Sequence, residues 1–298
     1  MKKSIVSIII LLCFTIAKAQ DFYGQATYMS KTTMDKSWMD NDRMRSMPAD
    51  QRKRIEDRMK KMGEKTFVLR FNRNESIFKE EKELAAPGNG RGGWGNFMGT
   101  AMGGDKYKNL DDKQWIEQRD MMGKTFLVKD SIPQLDWKIT GETKMIGQYQ
   151  AIKATAVKMN NALDWSSFRR KRDEDKKKEE VKKSEKKDKD TASSTNLLDM
   201  IEQDETTQVT AWFTPQIPVQ HGPAEYAGLP GLILEVSAGN TTLLCSKIEV
   251  NPEEREAIEP ATKGTETTEQ EYNALFTEKM QEMSKRFRGR GRGSRGRR

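Results

Sequence analysis

The sequence predicts a mainly β protein: a curved antiparallel sheet, half-barrel or bowl-like, with one or two packed helices, a charged insertion and a disordered tail. Three observations predict it. Short segments of alternating polarity recur at 22–29, 66–71, 76–79, 125–129, 137–140, 151–159, 208–214, 232–236 and 242–250. Turn residues separate most of them, and no strand–helix–strand rhythm of a parallel sheet appears.

Residues 1–19 read as a secretory signal. Lys2 and Lys3 precede an apolar stretch at 5–16, and Ala17-Lys18-Ala19 forms a small-x-small cleavage site, so Gln20 is the expected first mature residue. The apolar stretch is too short to span a membrane, and no later one approaches the required ~20 apolar residues. Cys13 lacks the Leu-small-small approach of a lipoprotein signal. The expected location is therefore the periplasm or the cell surface.

The β domain is assigned to 20–260. A helix at 48–62 starts with Pro48 in its first turn and carries Ile55, Met59 and Met62 at helical spacing. That stripe reads as core packing, with a methionine-lined groove as the sharper alternative. The stretch 87–104 is rich in glycine and holds Trp94 and Phe97. No Gly-Lys-Ser/Thr follows, so it is no phosphate loop. It reads as a flexible rim hairpin or an aromatic-tipped binding loop. The segment 162–206 is a charged insertion, almost wholly Lys and Glu at its centre, and is expected to be disordered.

After the insertion, Val209, Ala211 and Phe213 share a strand face opposite Trp212, and Pro215, Pro218 and Gly222-Pro223 then break the pattern. Gly228-Leu229-Pro230-Gly231 reads as a tight turn leading into a strand with Leu232, Leu234 and Val236 on one face. In the last strand Leu243 and Cys245 share a face, opposite Leu244, Ile248 and Val250. An amphipathic helix is assigned to 262–287. Thr267 and Gln270 have capping-box spacing, and Tyr272, Leu275, Phe276, Met280, Met283 and Phe287 form one stripe. It docks on the sheet or lies on a membrane surface. The tail 288–298 is Arg/Gly-rich.

The formal charge of +8 belongs to the chain's ends. Eight cations lie in 285–298 and three in the signal, and removing those eleven leaves −3 for everything between. Attraction to polyanions therefore resides in the tail.

The chemistry available is narrow. His221 is the single histidine, and Cys245 is the one cysteine left after cleavage. A histidine-rich metal cluster and a thiolate pair are excluded. A serine triad would have to use His221, which sits in a Gly-Pro-rich loop and reads as an exposed or satisfied loop residue. Cys245 reads as a buried, inert thiol. Asp111-Asp112 and Glu253-Glu254 read as solvated surface. No catalytic, cofactor or metal residues are assigned. Asp130-Ser131-Ile132 and Asp190-Thr191-Ala192 look like a three-residue O-glycosylation acceptor of exported proteins.

The run Gly228-Leu229-Pro230-Gly231-Leu232-Ile233 resembles the signature of the GLPGLI family of Bacteroidetes exported proteins. Trp212-Phe213, Ile217-Pro218, Gly222-Pro223 and Tyr226 resemble that family's approach to its signature. Trp137-Lys138-Ile139, Glu142-Thr143-Lys144, Ile146-Gly147 and Tyr149 resemble an upstream block. The resemblance covers 21–250 apart from the insertion. Gln150 and Ala151 stand where many relatives carry a cysteine, which removes any disulfide there.

The resemblance implies an exported protein near outer-membrane transport systems and implies no reaction. The expectation is a non-enzymatic envelope binding or accessory protein without cofactor. Its contacts would be Trp94, Phe97, Tyr226, Leu229 and Pro230, and its partner an envelope protein or outer-membrane transport component. A second expectation is anchoring to anionic lipid or lipopolysaccharide through Arg288, Arg290, Arg292, Arg295, Arg297 and Arg298. Arg-Gly repeats also suit RNA, but the signal peptide argues against nucleic acid. A third is a carboxylate-based hydrolase, which needs two acids converging in one cleft with shifted pKa values.

Overall fold

In the computed structural model, residues 22–33, 42–81, 103–160, 168–170, 201–203 and 206–292 are described. The period-two segments resolve into two antiparallel meanders. The first runs β1 (Gly24–Thr32), β2 (Glu64–Phe71), β3 (Glu75–Glu80), β4 (Lys106–Asn109), β5 (Gln114–Met121) and β6 (Lys124–Ser131). The second begins with β7 (Lys138–Ile146) and β8 (Tyr149–Met159). Two short strands of the insertion follow, β9 (Phe168–Arg170) and β10 (Ile201–Gln203), before β11 (Thr206–Thr214), β12 (Leu232–Ala238) and β13 (Thr241–Val250) complete it. The last strand is β14 (Thr265–Thr267). Pairing of β1 with β13 fuses the meanders into one open sheet of order β14-β6-β5-β4-β3-β2-β1-β13-β12-β11-β8-β7.

One pairing departs from the antiparallel expectation: β14 runs parallel to β6 at that edge. Strands β4 and β5 escape the polarity pattern because Lys108, Glu117 and Arg119 occupy inward positions and are buried. The insertion is not without structure at its ends, where β9 pairs with β10 as a separate two-stranded ladder.

Two register slips correct the face assignments. Thr27 pairs with Lys247 but Tyr28 with Cys245, so Ser246 is an extra residue and the strand turns over. Ile248 and Val250 therefore lie opposite buried Ala26 and Gly24 on the core face, rather than sharing the outer face with exposed Leu244; Ile248 packs on the core, and Val250 at the strand's end stays exposed. On β12, Glu235 pairs with Trp212 and Ile233 with Phe213, which leaves Leu234 unmatched. Leu232, Ile233 and Leu234 are consequently all buried, where strict alternation would expose Ile233.

Among the described residues, three helices accompany the sheet: α1 (Asp42–Arg45), α2 (Ala49–Gly63) and α3 (Glu269–Arg292). Helix α2 is exposed along most of its described length, with Ile55 half-buried. Helix α3 docks Tyr272 and Phe276 against Trp115, Met121, Phe126 and Val128. Its capping box lies one residue later than the spacing predicts. Glu271 Oε2 accepts from the Thr268 N–H at 3.0 Å, and Thr268 Oγ1 accepts from the Glu271 N–H at 3.3 Å. The charged carboxylate is the stronger acceptor of the two available registers. The helix also runs beyond Phe287, to Arg292. Asp130 assists its start, with Oδ2 accepting from the Glu269 N–H at 3.2 Å.

Candidate functional site

The segment between β11 and β12 is a loop by sequence and core by position. Ile217 and Val219 join the cluster of Tyr28, Phe71, Leu234 and Cys245 at the seam of the two meanders. Ala227 joins the cluster under α3, and Tyr226 and Leu229 join that of Val209, Phe213, Ile233 and Val236. One loop thus touches every apolar cluster described, as a keystone on the curved sheet.

Its turns use the proline chemistry the sequence announces, in a tighter form. The Gly231 N–H donates to the Leu229 carbonyl at 2.8 Å and the Val219 N–H to the Ile217 carbonyl at 2.8 Å. Both are three-residue γ-turns, centred on Pro230 and Pro218, whose rings preset φ. Gly231 has φ +159°, and a Cβ there would sit 2.2 Å from the Thr214 carbonyl oxygen. The loop then runs beside β12: the Leu232 N–H donates to Ile217 O and the Ile233 N–H to His221 O, each at 3.0 Å.

Side chains from three directions hold this loop. Trp137 Nε1 donates to the Ala227 carbonyl at 3.0 Å. Lys158 of β8 pairs with Glu225 at 2.7 Å. Lys108 of β4, fully buried, donates from Nζ to the carbonyls of Gly222 at 2.7 Å and Tyr226 at 2.9 Å. Burial, with Lys106 adding repulsion, lowers the Lys108 ammonium to about 7.

His221 is a correction to the sequence reading. It is neither exposed nor satisfied: it is wholly buried, and among the described residues neither ring nitrogen has a partner at hydrogen-bond geometry. Its ring lies 6.1 Å from that of Phe71. Burial and the Lys108 charge push it down to about 3, against a weaker opposing pull from the backbone of Arg73 and Asn72. The imidazole is therefore neutral at physiological pH. Ser76, opposite Lys108 in the β3–β4 ladder, is likewise buried with an unpartnered hydroxyl.

A second set of charges ties α3 to the same interior. Glu117 accepts from Arg119 at 2.9 Å and from the Gly104 N–H at 2.7 Å, with Lys106 at 3.4 Å. Burial would raise this carboxyl, but Lys106 and Arg119 overcome it and hold it below the usual range. Burial raises Glu269, which Lys106 and Arg119 pull back in part. Burial also acts against Glu225, yet Lys158 and Lys106 bring it down to about 2. Three carboxylates therefore surround Lys106 with divergent acidities, and each is drawn to a cation.

A groove of about 220 Å³ lies beside the β7–β8 turn. It is lined by Ile146 and Tyr149 at the β7–β8 turn, Leu234 of β12, and Cys245, Lys247 and Ile248 of β13. The Cys245 thiol, pushed up to about 12 by burial, donates to the Lys247 carbonyl at 3.5 Å and stays protonated. Among the described residues no group of His, Cys, Asp and Glu could hold a metal ion.

The residues singled out from sequence are not brought together here. Tyr226 and Leu229 are core residues at 5% and 1% exposure, while Pro230 is exposed. The space beneath the signature turn is filled by Val209, Phe213 and Ile233. Trp94, Phe97, Arg295, Arg297 and Arg298 lie outside the described residues. Arg288, Arg290 and Arg292 continue the backbone of α3. Asp190-Thr191 lies outside as well, and Ser131 is exposed beside Asp130. Sequence reasoning missed Lys108, Ser76 and Glu225. In Lys106-Tyr107-Lys108 the polarity says solvent on both sides of the tyrosine, and no local signal separates the two lysines.

Residues 137–235 match the model of a family described as a protein of unknown function (Porph_ging). The match begins at the tryptophan that holds the keystone loop and ends inside β12. No curated protein matches the chain. Two solved structures of PNGF-II, in the C2 and P21 space groups, are each 10% identical with a TM-score of 0.44. They cover 85% of this chain, and the chain spans about a third of theirs, at 32% and 33%.

Proposed function

We propose that this chain is an exported, non-enzymatic binding or accessory protein of the cell envelope, of the GLPGLI type. The groove carries the reading. It offers apolar contact surface from Ile146, Tyr149, Leu234 and Ile248 beside a protonated, inert thiol, and no acid–base pair lines it. The carboxylates that do converge are each drawn to Lys106, Arg119 or Lys158 inside the fold, which argues for scaffolding over hydrolysis. The keystone loop supports the same view, since it makes the domain a rigid platform beside the groove.

The test is capture from native envelope extract, with mass spectrometry of both proteins and lipids. Full-length chain and a version ending at Ser284 are compared. One specific protein retained by both is the expected result. Capture of anionic lipid or polysaccharide alone, lost on truncation, would replace this reading with tail-mediated anchoring through the arginines from Arg288 onward. Sequencing the secreted form from its N-terminus checks export, with Gln20 expected first.

A further inference from the structure

The two meanders part within the sheet. Strands β12 and β13 pair only from Glu235 opposite Leu244 to Ala238 opposite Thr241. Beyond that, Leu232 and Ile233 turn their N–H groups to the keystone loop, while residues 245–250 of β13 keep β1 as their one strand neighbour among the described residues. The register with β1 decides which way the β13 backbone points. The Asn251 N–H donates to the Tyr23 carbonyl at 2.8 Å, so Tyr23 and Asn251 are a hydrogen-bonded pair. Hydrogen-bonded pairs alternate in an antiparallel ladder. Gln25 with Glu249 and Thr27 with Lys247 are therefore the next, and Ile248 and Val250 direct their N–H and C=O groups into the split. No described residue bonds them from that side.

This bare edge begins at the groove. Leu234, Tyr149 and the turn residue Gly147 line it together with half-buried Ile248, and Val250 is 44% exposed. The outer edge of the sheet differs. There β7 carries a bulge around Gly141 with φ +79°, and Lys138 and Lys144 along it, all devices that discourage strand addition.

We propose that the β13 edge at Ile248 and Val250 is a strand-addition site for an extended segment of a partner protein. This rests on the binding reading above and gives it a ligand class. Only a polypeptide backbone in extended form presents donors and acceptors at the spacing of Ile248 and Val250, while Lys247 and Glu249 beside them pair with each other at 3.0 Å and leave the recognition to the backbone. The segment enters the split with alternate side chains toward Tyr149 and Leu234.

Amide hydrogen exchange on the full chain, read by NMR, tests it. The probe is the best binder selected from a displayed library of random linear peptides. In free protein the Ile248 and Val250 amides exchange about 100-fold faster than Lys247 and Glu249. The peptide then slows both. Val250→Pro deletes only an N–H that faces the split, so it weakens peptide binding about 10-fold or more while the thermal melt is kept. Glu249→Pro, which removes a ladder donor, destabilises the fold instead. Slow exchange at Ile248 and Val250 in free, dilute protein overturns the proposal. So does failure to select a binder, or binders that leave both amides unprotected. Protection that grows with protein concentration alone would assign the edge to a second copy and also overturn it. Failure of envelope capture sinks the reading above without altering any of these results.

Discussion

Lys108 Nζ lies 2.9 Å from the carbonyl oxygen of Tyr226, a residue 118 positions later in the chain. That bond joins the first meander to the loop that opens the last strands. Among the described residues no carboxylate pairs with this cation, which donates to two backbone carbonyls.

The pH dependence of this contact has a definite sign. The folded-state pKa of Lys108, about 7, lies below its ordinary 10.5, so above pH 7 the unfolded chain binds the extra proton. Stability contributed by this group therefore rises with pH, by about 1.4 kcal/mol per unit. The clean window is about pH 7 to 9, before Cys245 and the buried tyrosines reverse the trend. Urea denaturation across that window, with Lys108→Met flattening the rise, checks it. An unchanged slope in the variant would place the lysine in water.

His221 acts in the acid range. Its pKa falls from 6.5 to about 3 on folding, so stability is lost as pH drops below 6.5. Below 4.5 the carboxylates, Glu225 among them, add a loss of the same sign. Between those limits the imidazole supplies a loss that Glu269, raised by burial, opposes and that Lys108 joins near the upper end. His221→Phe is expected to reduce the loss of stability on acidification there and to be neutral or stabilising at pH 7, because it replaces two unsatisfied nitrogens beside Phe71 with ring carbon. A large loss at neutral pH would mean the nitrogens have partners.

The two glycines of the signature turn separate by mechanism. Gly231→Ala forces a Cβ against the Thr214 carbonyl and is expected to cost about 3 kcal/mol or more. Gly228, with φ +91° and open space around it, should lose only about 1–2 kcal/mol as Ala. Equal costs in chemical denaturation would contradict the packing described.

At the α3 dock, Glu117→Gln leaves Lys106 and Arg119 without their buried counter-charge, at about 3–5 kcal/mol. Thr268→Ala removes one cap and costs about 1 kcal/mol. Thermal melts of the two variants should rank them in that order.

Much of this architecture was legible. The alternating segments fall on strands, because apolar residues recur at every second position, Leu69 and Phe71 on one strand and Val209, Ala211 and Phe213 on another, and the pleat buries them. The helix stripe from Tyr272 was legible for the same reason at the helical period. Ile248 and Val250 fall on the other face because a single extra residue, Ser246, reverses it, and nothing in Cys245-Ser246-Lys247 marks a bulge. Lys108, Glu117 and Arg119 hid two strands, since charge says surface until a partner is supplied from a distant element. The site suffered most from this. Tyr226 and Leu229 looked like loop residues free to meet a partner, and the loop proved to be the centre of the fold.

The seam between the meanders has a temporal side. β1 needs β13 as its second neighbour, and Tyr28 gives its hydroxyl to Ile233, 205 residues away, at 2.6 Å. At ordinary ribosomal rates roughly 10–40 s separate the appearance of those partners. For that interval the earliest strand is a bare edge with an unpaired tyrosine. A chain built this way gains by being held unfolded until its last long strand has emerged.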